Sequence, residues 1–320
     1  MEHYNVDLYI GSARFKSPNS ISICSAGGDI DIYGEYFIVA TGSSTSIPRI
    51  EGLDDISYYT SDTIWSVKKL PGKMLVIGSG AIGLEIAQAF ARLGSEVDVV
   101  EILDRPLPGA EPEISKALAE ILSEEGVKIY TKSKIAGFGR RGARAVAKIL
   151  TPKGSIEEEY DAVLISTGRK PNTEGLGLEL AGEELDSRGF IRVSMDLRTS
   201  NPRIYAAGDV AGTPKPAFLE TLAAKEGAIA AKNIATGSKE SIDYESAPVV
   251  VFTDPEVAYV GSTEQRLVES LGMCSCRVVS FKLTARSGIM GVEHGLAKIV
   301  IDPRSNTIAG IHVLAPLSLI

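Results

Sequence analysis

The run Gly78-Ser79-Gly80-Ala81-Ile82-Gly83 has the G-x-G-x-x-G spacing that can hold a diphosphate against bare backbone. Alone, that pattern arises often by chance. Here Met74-Leu75-Val76-Ile77 precedes it and the amphipathic stretch Ala81–Leu93 follows, so the glycines open a strand–turn–helix unit. Gly78 is expected to permit the tight turn, and Gly80 to let a pyrophosphate approach with no Cβ in the way. Gly83 is expected to let the helix press on the strand. Free N–H groups at the helix start supply partial positive charge to the phosphates. Glu101 closes the next apolar strand, about 20 residues on, where a carboxylate accepts both ribose hydroxyls and repels a 2′-phosphate. NAD is therefore expected in preference to NADP, with Arg105 the nearby residue that would soften the choice. Glu85, two residues past the last glycine, is a candidate catalytic group facing a nicotinamide. Its plain alternative is a helix acid favoured by the dipole.

The remaining reactive side chains are sparse. Cysteine occurs only as Cys24, Cys274 and Cys276, and histidine as His3, His294 and His312. An odd, thin set of cysteines makes no disulfide framework and suits a reducing cytoplasm. On a strand, Cys274 and Cys276 would point the same way with Cα atoms about 6.5–7 Å apart, near the limit for a disulfide. Buried or half-buried thiols are the expectation there, and two cysteines without a nearby histidine make a poor zinc site, so no metal is expected.

The elements that must position these residues follow from periodicity. Residues 1–46 alternate short β-like runs (VDLYIGSARF, SISICSA, GEYFIVATG) with turns. MLVIG, AIGLEIAQAFARLG and EVDVVE form a βαβ unit, which implies parallel strands and a right-handed crossover. A helix is predicted over 112–125, with Ile114, Leu118 and Leu122 on one stripe. VKIYT and a hairpin fill 127–160, with Arg140, Arg141 and Arg144 near a solvated tip. DAVLISTG, GFIRV and RIYAAGD read as strands, and 216–235 as an Ala-rich helix. From Ala247 the pattern becomes α+β, with STEQRLVESLG helical.

Bulk properties narrow the function classes. The 320 residues are 44% hydrophobic and 23% charged with a net charge of −8, enough apolar material for two or three domains. The acidic balance, with no dominant Lys/Arg cluster, argues against nucleic acid as a partner. No run approaches the ~20 apolar residues of a membrane span, and no leader segment is visible at the start. A cytoplasmic location is the expectation.

Further segments fall into a known pattern. FIVATGSSTSIPRIEGL, GSGAIGLE, STGRKPNTEGLGLE, RTSNPRIYAAGDV, LETLAAKEGAIAAKNI, FTDPEVAYVGSTE and IAGIHVLAP occur in the order of the class I flavoprotein pyridine-nucleotide disulfide oxidoreductases, and cover nearly the whole chain. The chain resembles that family, which includes mercuric reductase, dihydrolipoamide dehydrogenase and glutathione reductase. The resemblance implies an α/β fold in which a Rossmann-like NAD-binding domain (54–182) is inserted in a partial FAD-binding domain (1–53 and 183–246). A partial α+β interface domain (247–320) would follow and pair two copies into a homodimer. It further implies that Thr41-Gly42 links the two nucleotide-binding domains, that Gly168 lies along NAD, and that Ile135 flanks its adenine. Asp209 would reach the FAD ribityl chain, the alternative being a cap on the following turn. Glu220 would offer its backbone N–H to the flavin pyrimidine at a helix N-terminus, and Ala13 would contact the FAD adenine through backbone. LETLAAKEG and HVLAP look most like mercuric reductases, and Thr221 stands where lipoamide dehydrogenases usually carry histidine.

Three departures qualify that resemblance. The family opens with its own glycine fingerprint for FAD, carries two cysteines four residues apart, and ends with a His-x-x-x-x-Glu pair given across the dimer. None of these is found in the 320 residues. Glu85 also lacks the lysine that partners it in relatives. The expectation is an FAD-dependent NAD(P)H oxidoreductase, truncated at both ends and inactive alone, most like mercuric reductase with its substrate unassigned. Alternatives are a dihydrolipoamide dehydrogenase-like enzyme, a non-catalytic NAD(H)-binding dimerising module, or a truncated product prone to association.

Overall fold

The computed structural model describes residues 5–213, 218–280, 289 and 294–316. His3 lies outside the described residues. The chain packs as two compact units: residues 1–44 with 169–244, and residues 45–168 with 245–320.

In the larger unit, four parallel strands lie in the order Ala162–Ile165, Lys73–Ile77, Glu96–Val100, Val127–Tyr130. Val76 sits opposite Val99 on one side and Leu164 on the other. Alternate residues of the central strand enter different cores. Met74 and Val76 pack with Leu84, Ile114, Leu118 and Leu122, whereas Leu75 and Ile77 pack with Val163, Ile165, Ile149 and Tyr160. Burial on both faces is why these strands read as unbroken apolar runs. Helices α1 (Ala81–Arg92) and α2 (Pro112–Glu124) cover the first face. The predicted stripe of α2 holds, with Ile114, Leu118 and Leu122 all fully buried. A three-stranded antiparallel sheet, Lys134–Arg141, Arg144–Thr151 and Gly154–Tyr160, lines the second face. Its basic tip is exposed, with Arg144 paired to Asp161 at 2.8 Å.

Residues 249–315 add a five-stranded antiparallel sheet in the order Val249–Val251, Glu256–Gly261, Thr307–Ala315, Leu296–Asp302, Arg277–Ser280. Val251, Val257 and Leu314 of this sheet join the same core as α1 and α2.

In the smaller unit, strands Ser12–Ser17, Ser20–Ser25 and Gly28–Tyr33 form an antiparallel meander. Sequence reading missed the last of these, because its alternating Asp29 and Asp31 are disfavoured in strands. Most of its residues are exposed. Strand Phe37–Val39 pairs in parallel with Ile204–Ala206. Phe15, Val39, Leu178, Ile191, Ile204 and Val210 build the core. GFIRV, predicted as a strand, is reduced to Ile191–Arg192 paired with Ala211–Gly212. Helix α3 (Glu220–Thr236) ends at Gly237, whose φ of 68° suits a left-handed stop.

Candidate functional site

The glycine turn joins the strand Lys73–Ile77 to α1, and its three glycines are not glycine for one reason. Gly78 has φ 99°, and a Cβ there would lie 2.5 Å from the Ser166 carbonyl oxygen. Gly83, within α1, would drive a Cβ to 2.2 Å from the Gly78 carbonyl and 2.6 Å from Ser166 Oγ. Both are therefore demanded by close packing of turn, helix and the neighbouring segment. Gly80 is different: its φ of −72° suits any residue, and a Cβ there meets nothing within 4 Å. The space above it is open, at the start of a helix that no side chain caps. The amides of Ala81, Ile82 and Gly83 precede the first intrahelical bond, which runs from Leu84 N–H to the Gly80 carbonyl. A bare glycine facing open space beside unpaired helix amides fits a diphosphate, so the cradle passes a test that Gly78 and Gly83 could not supply.

Ser79 and Glu101 turn inward. The Ser79 N–H donates to Glu101 Oε2 at 2.9 Å and its hydroxyl to the same oxygen at 2.7 Å. Glu101 Oε1 accepts from the Leu103 N–H at 2.8 Å, and the Ser79 carbonyl accepts from Leu107 N–H. Ser79 is fully buried and Glu101 nearly so. Glu101 thus latches the glycine turn to the loop after its own strand. Arg105 folds onto its own loop, toward Asp104 and the Pro108 carbonyl. Ser166 completes the turn: its hydroxyl lies 2.9 Å from both the Ile77 and Gly78 carbonyls. Sequence reading overlooked it, although it stands in the STGRKPN segment. Gly168, with φ 109°, likewise faces open space and accepts from Ser46 N–H. Ile135 belongs to the core beside Ile77, Val100 and Ile149, with little surface left over.

Glu85 accepts the Phe252 N–H at 2.8 Å through Oε1. Burial raises its carboxyl above the usual carboxylate range, and that N–H opposes the shift. One and two turns further along α1, Gln88 exchanges hydrogen bonds with the Asp254 backbone and Arg92 pairs with Asp254 and Glu125. The stripe Glu85–Gln88–Arg92 therefore docks residues 252–254.

In the smaller unit, Asp209 Oδ2 accepts from Ser43 Oγ at 2.6 Å and lies 3.5 Å from the Arg169 guanidinium. Thr41 and Gly42 are clamped by Asn172, whose side-chain amide donates to the Thr41 carbonyl and whose N–H donates to the Gly42 carbonyl. Arg169 and Asn172 were missed as site-forming residues, though TGRKPN contains both. Asp209, Leu219 and Leu222 line one hollow, so Asp209 and the start of α3 at Glu220 come together. A second overlooked carboxylate, Glu226, is buried behind them and accepts from Gly208 N–H and from the Tyr244 hydroxyl. Burial raises its carboxyl above the usual range, the two donors oppose this, and the Asp209 charge adds to it. Ala13 is exposed on its strand.

Cys274 and Cys276 correct the sequence reading. They do not lie on a strand but on the irregular segment after Gly272, and are joined as a disulfide with Cα atoms 5.8 Å apart. Leaving the extended conformation brings the Cα atoms closer than the 6.5–7 Å of a strand.

A parallel sheet with an open glycine turn at the end of one strand and helices on one face defines an α/β protein of Rossmann-like architecture. Residues 1–228 match the family described as pyridine nucleotide-disulphide oxidoreductase, and residues 247–318 match its dimerisation domain. The chain belongs to this family, an enzyme family of flavoproteins that use FAD and NAD(P)H. It is 36% identical over 313 residues to the mercuric reductase of Streptomyces lividans, covering 98% of this chain and 65% of that protein. It is equally 36% identical over 314 residues to the dihydrolipoyl dehydrogenase of Thermus scotoductus, covering 97% of this chain and 66% of that one. Among solved structures, the HOCl-induced flavoprotein disulfide reductase RclA from Escherichia coli superposes with a TM-score of 0.87 at 28% identity, over 98% of this chain and 71% of that one. The chain thus spans just under two thirds of the length of these two curated relatives. Among the described residues, no helix is long and apolar enough to cross a membrane.

Proposed function

We propose that the chain binds a nicotinamide dinucleotide with its diphosphate over Gly80 and the first turn of α1, and the adenosine ribose at Glu101. The inward latch of Glu101 favours NAD: a second anion beside a nearly buried carboxylate would be repelled, and Arg105 is turned toward its own loop. Gly168 would border the bound dinucleotide and Ile135 its adenine. Glu85, tied to the Phe252 amide, serves to position that loop rather than as a catalytic group.

The flavin half of the proposal uses Asp209 for a sugar-alcohol hydroxyl, the Glu220 N–H at the α3 N-terminus, and the backbone at Ala13, Thr41 and Gly42. When both cofactors are bound, the nicotinamide supplies a hydride that the flavin accepts; the protein's part is position and field. The α3 N-terminus would favour negative charge developing beside it. We propose an FAD-dependent NAD(P)H oxidoreductase most like mercuric reductase, with the 247–318 domain pairing two copies. The 320 residues contain no two cysteines four apart, so these residues alone are expected to bind NADH and not to turn over a disulfide or mercuric ion.

The observation that carries this reading is the open space over Gly80. Gly80→Ala adds a methyl where the protein itself offers no clash. It should leave unfolding free energy within about 0.5 kcal/mol of wild type. NADH affinity, measured by fluorescence titration, should fall roughly tenfold or more, about 1.4 kcal/mol. Unchanged affinity in a normally folded variant, or a wild-type chain that ignores millimolar NADH, would sink the reading.

A further inference from the structure

The segment between α4 (Glu264–Leu271) and the strand Arg277–Ser280 gathers donors that neither proposed cofactor site uses. Gly272, with φ 75°, ends the helix. The chain then turns back, pinned where the Ser275 N–H donates to the Ile301 carbonyl at 3.1 Å. Arg304 holds the helix end through the Leu271 carbonyl at 2.8 Å. Cys274 and Cys276 flank the anchored Ser275 and are joined to each other as a disulfide. Both Sγ atoms and a carboxylate oxygen of Glu264 lie within 4.8 Å of one another, and all three residues are half-buried.

Two sulfurs and one oxygen suit a particular class of ion. A tetrahedral Zn–S distance of about 2.3 Å implies ligand atoms about 3.8 Å apart, so the two sulfurs, bonded to each other here, must separate on reduction before they share an ion. A single carboxylate with two thiolates is a poor host for Ca²⁺ or Mg²⁺, which want mostly oxygen ligands. Charge points the same way. Two thiolates with Glu264, Glu111 and Glu113 carry five negative charges, and the single Lys298 ammonium, 2.6 Å from Glu264 Oε2 and shared by all three carboxylates, offsets one of them. A dication would reduce this excess of negative charge. The Cα separation of 5.8 Å falls in the range for a disulfide, so one backbone serves either state.

We propose that Cys274, Cys276 and Glu264 form a binding site for one thiophilic d¹⁰ dication of the Zn²⁺/Cd²⁺ class, and that the Cys274–Cys276 disulfide closes it. Opening requires an external dithiol, which passes two electrons and two protons to the S–S bond and is itself oxidised to a disulfide. Binding of the dication then displaces both thiol protons. The sequence missed this site because Glu264 stands on the preceding helix, ten residues before Cys274, and is brought to the thiols only by the return of the chain.

The test uses the full chain carrying Cys24→Ser, so that Cys274 and Cys276 are its only cysteines. After dithiol reduction and removal of the reductant, Cd²⁺ is titrated while thiolate-to-cadmium absorption and proton release are followed. One Cd²⁺ per chain, with the absorption of two thiolates and about two protons released, is expected. Oxidation to the disulfide should abolish binding, and so should Cys274→Ser or Cys276→Ser. Glu264→Gln should keep the two-thiolate absorption but weaken affinity roughly tenfold. The side chain of Glu264 is 43% exposed, so this variant is expected to fold. Three results would overturn the proposal: no thiolate absorption in protein with two titratable thiols, equal binding in the oxidised form, or an unchanged affinity in Glu264→Gln.

Discussion

The glycine turn at Gly78–Gly83 and the turn at Gly208–Asp209 are both latched by a buried glutamate that accepts a backbone N–H. Glu101 holds Ser79, and Glu226 holds Gly208. They differ in how the rest of each site is assembled. Around Glu101 most partners, Ser79, Leu103 and Leu107, lie within one βαβ unit and its following loop. Around Asp209 the partners come from three distant stretches: Ser43, Arg169 with Asn172, and α3 with Tyr244. The carboxylates differ too. Glu101 has three donors, whereas Glu226 has a backbone amide and a tyrosine, and burial raises its carboxyl.

The comparison is broken most severely by Gly83→Ala. The added Cβ would meet backbone at 2.2 Å, which a flexible side chain cannot relieve. Unfolding free energy should drop by about 3 kcal/mol, with NADH binding lost. A well-folded Gly83→Ala chain with intact affinity would mean that helix and turn are not pressed together. Next in size is Glu101→Ala, which strands two backbone amides and a hydroxyl for about 2 kcal/mol and should weaken NADH roughly tenfold. A stability loss with unaltered affinity would leave Glu101 as a latch only.

Glu226→Gln has the smallest effect and sharpens the contrast through its pH dependence. The carboxyl binds its proton more tightly in the folded chain than in the unfolded one. Its contribution to stability is therefore full below the ordinary value of 4.5 and declines as pH rises through the folded value. The stability difference between wild type and Glu226→Gln, about 1 kcal/mol or less, should shift against the wild type as pH is raised from 4.5. Denaturant melts across that range measure it. A pH-independent difference would show that Glu226 acts there by shape and not by charge.

The legible parts of the molecule were those whose causes are local. The strand Lys73–Ile77, α1, α2 and the Glu101 position were readable because buried parallel strands are continuous apolar runs and helices carry a 3.6-residue stripe. The Asp209 region was reached only through resemblance, since no short-range pattern links residues 41–44, 169–172 and 208–226.

By itself, then, the sequence determined the glycine cradle, the acid beside it and the order of elements, because steric and periodic constraints act over a few residues. Only the tertiary structure decided that Glu101 faces Ser79, that Glu85 holds Phe252, and that Glu264 meets Cys274 and Cys276. A side chain's partner depends on which distant backbone the packed core brings within about 3 Å of a polar atom, and no spacing along the chain encodes that distance.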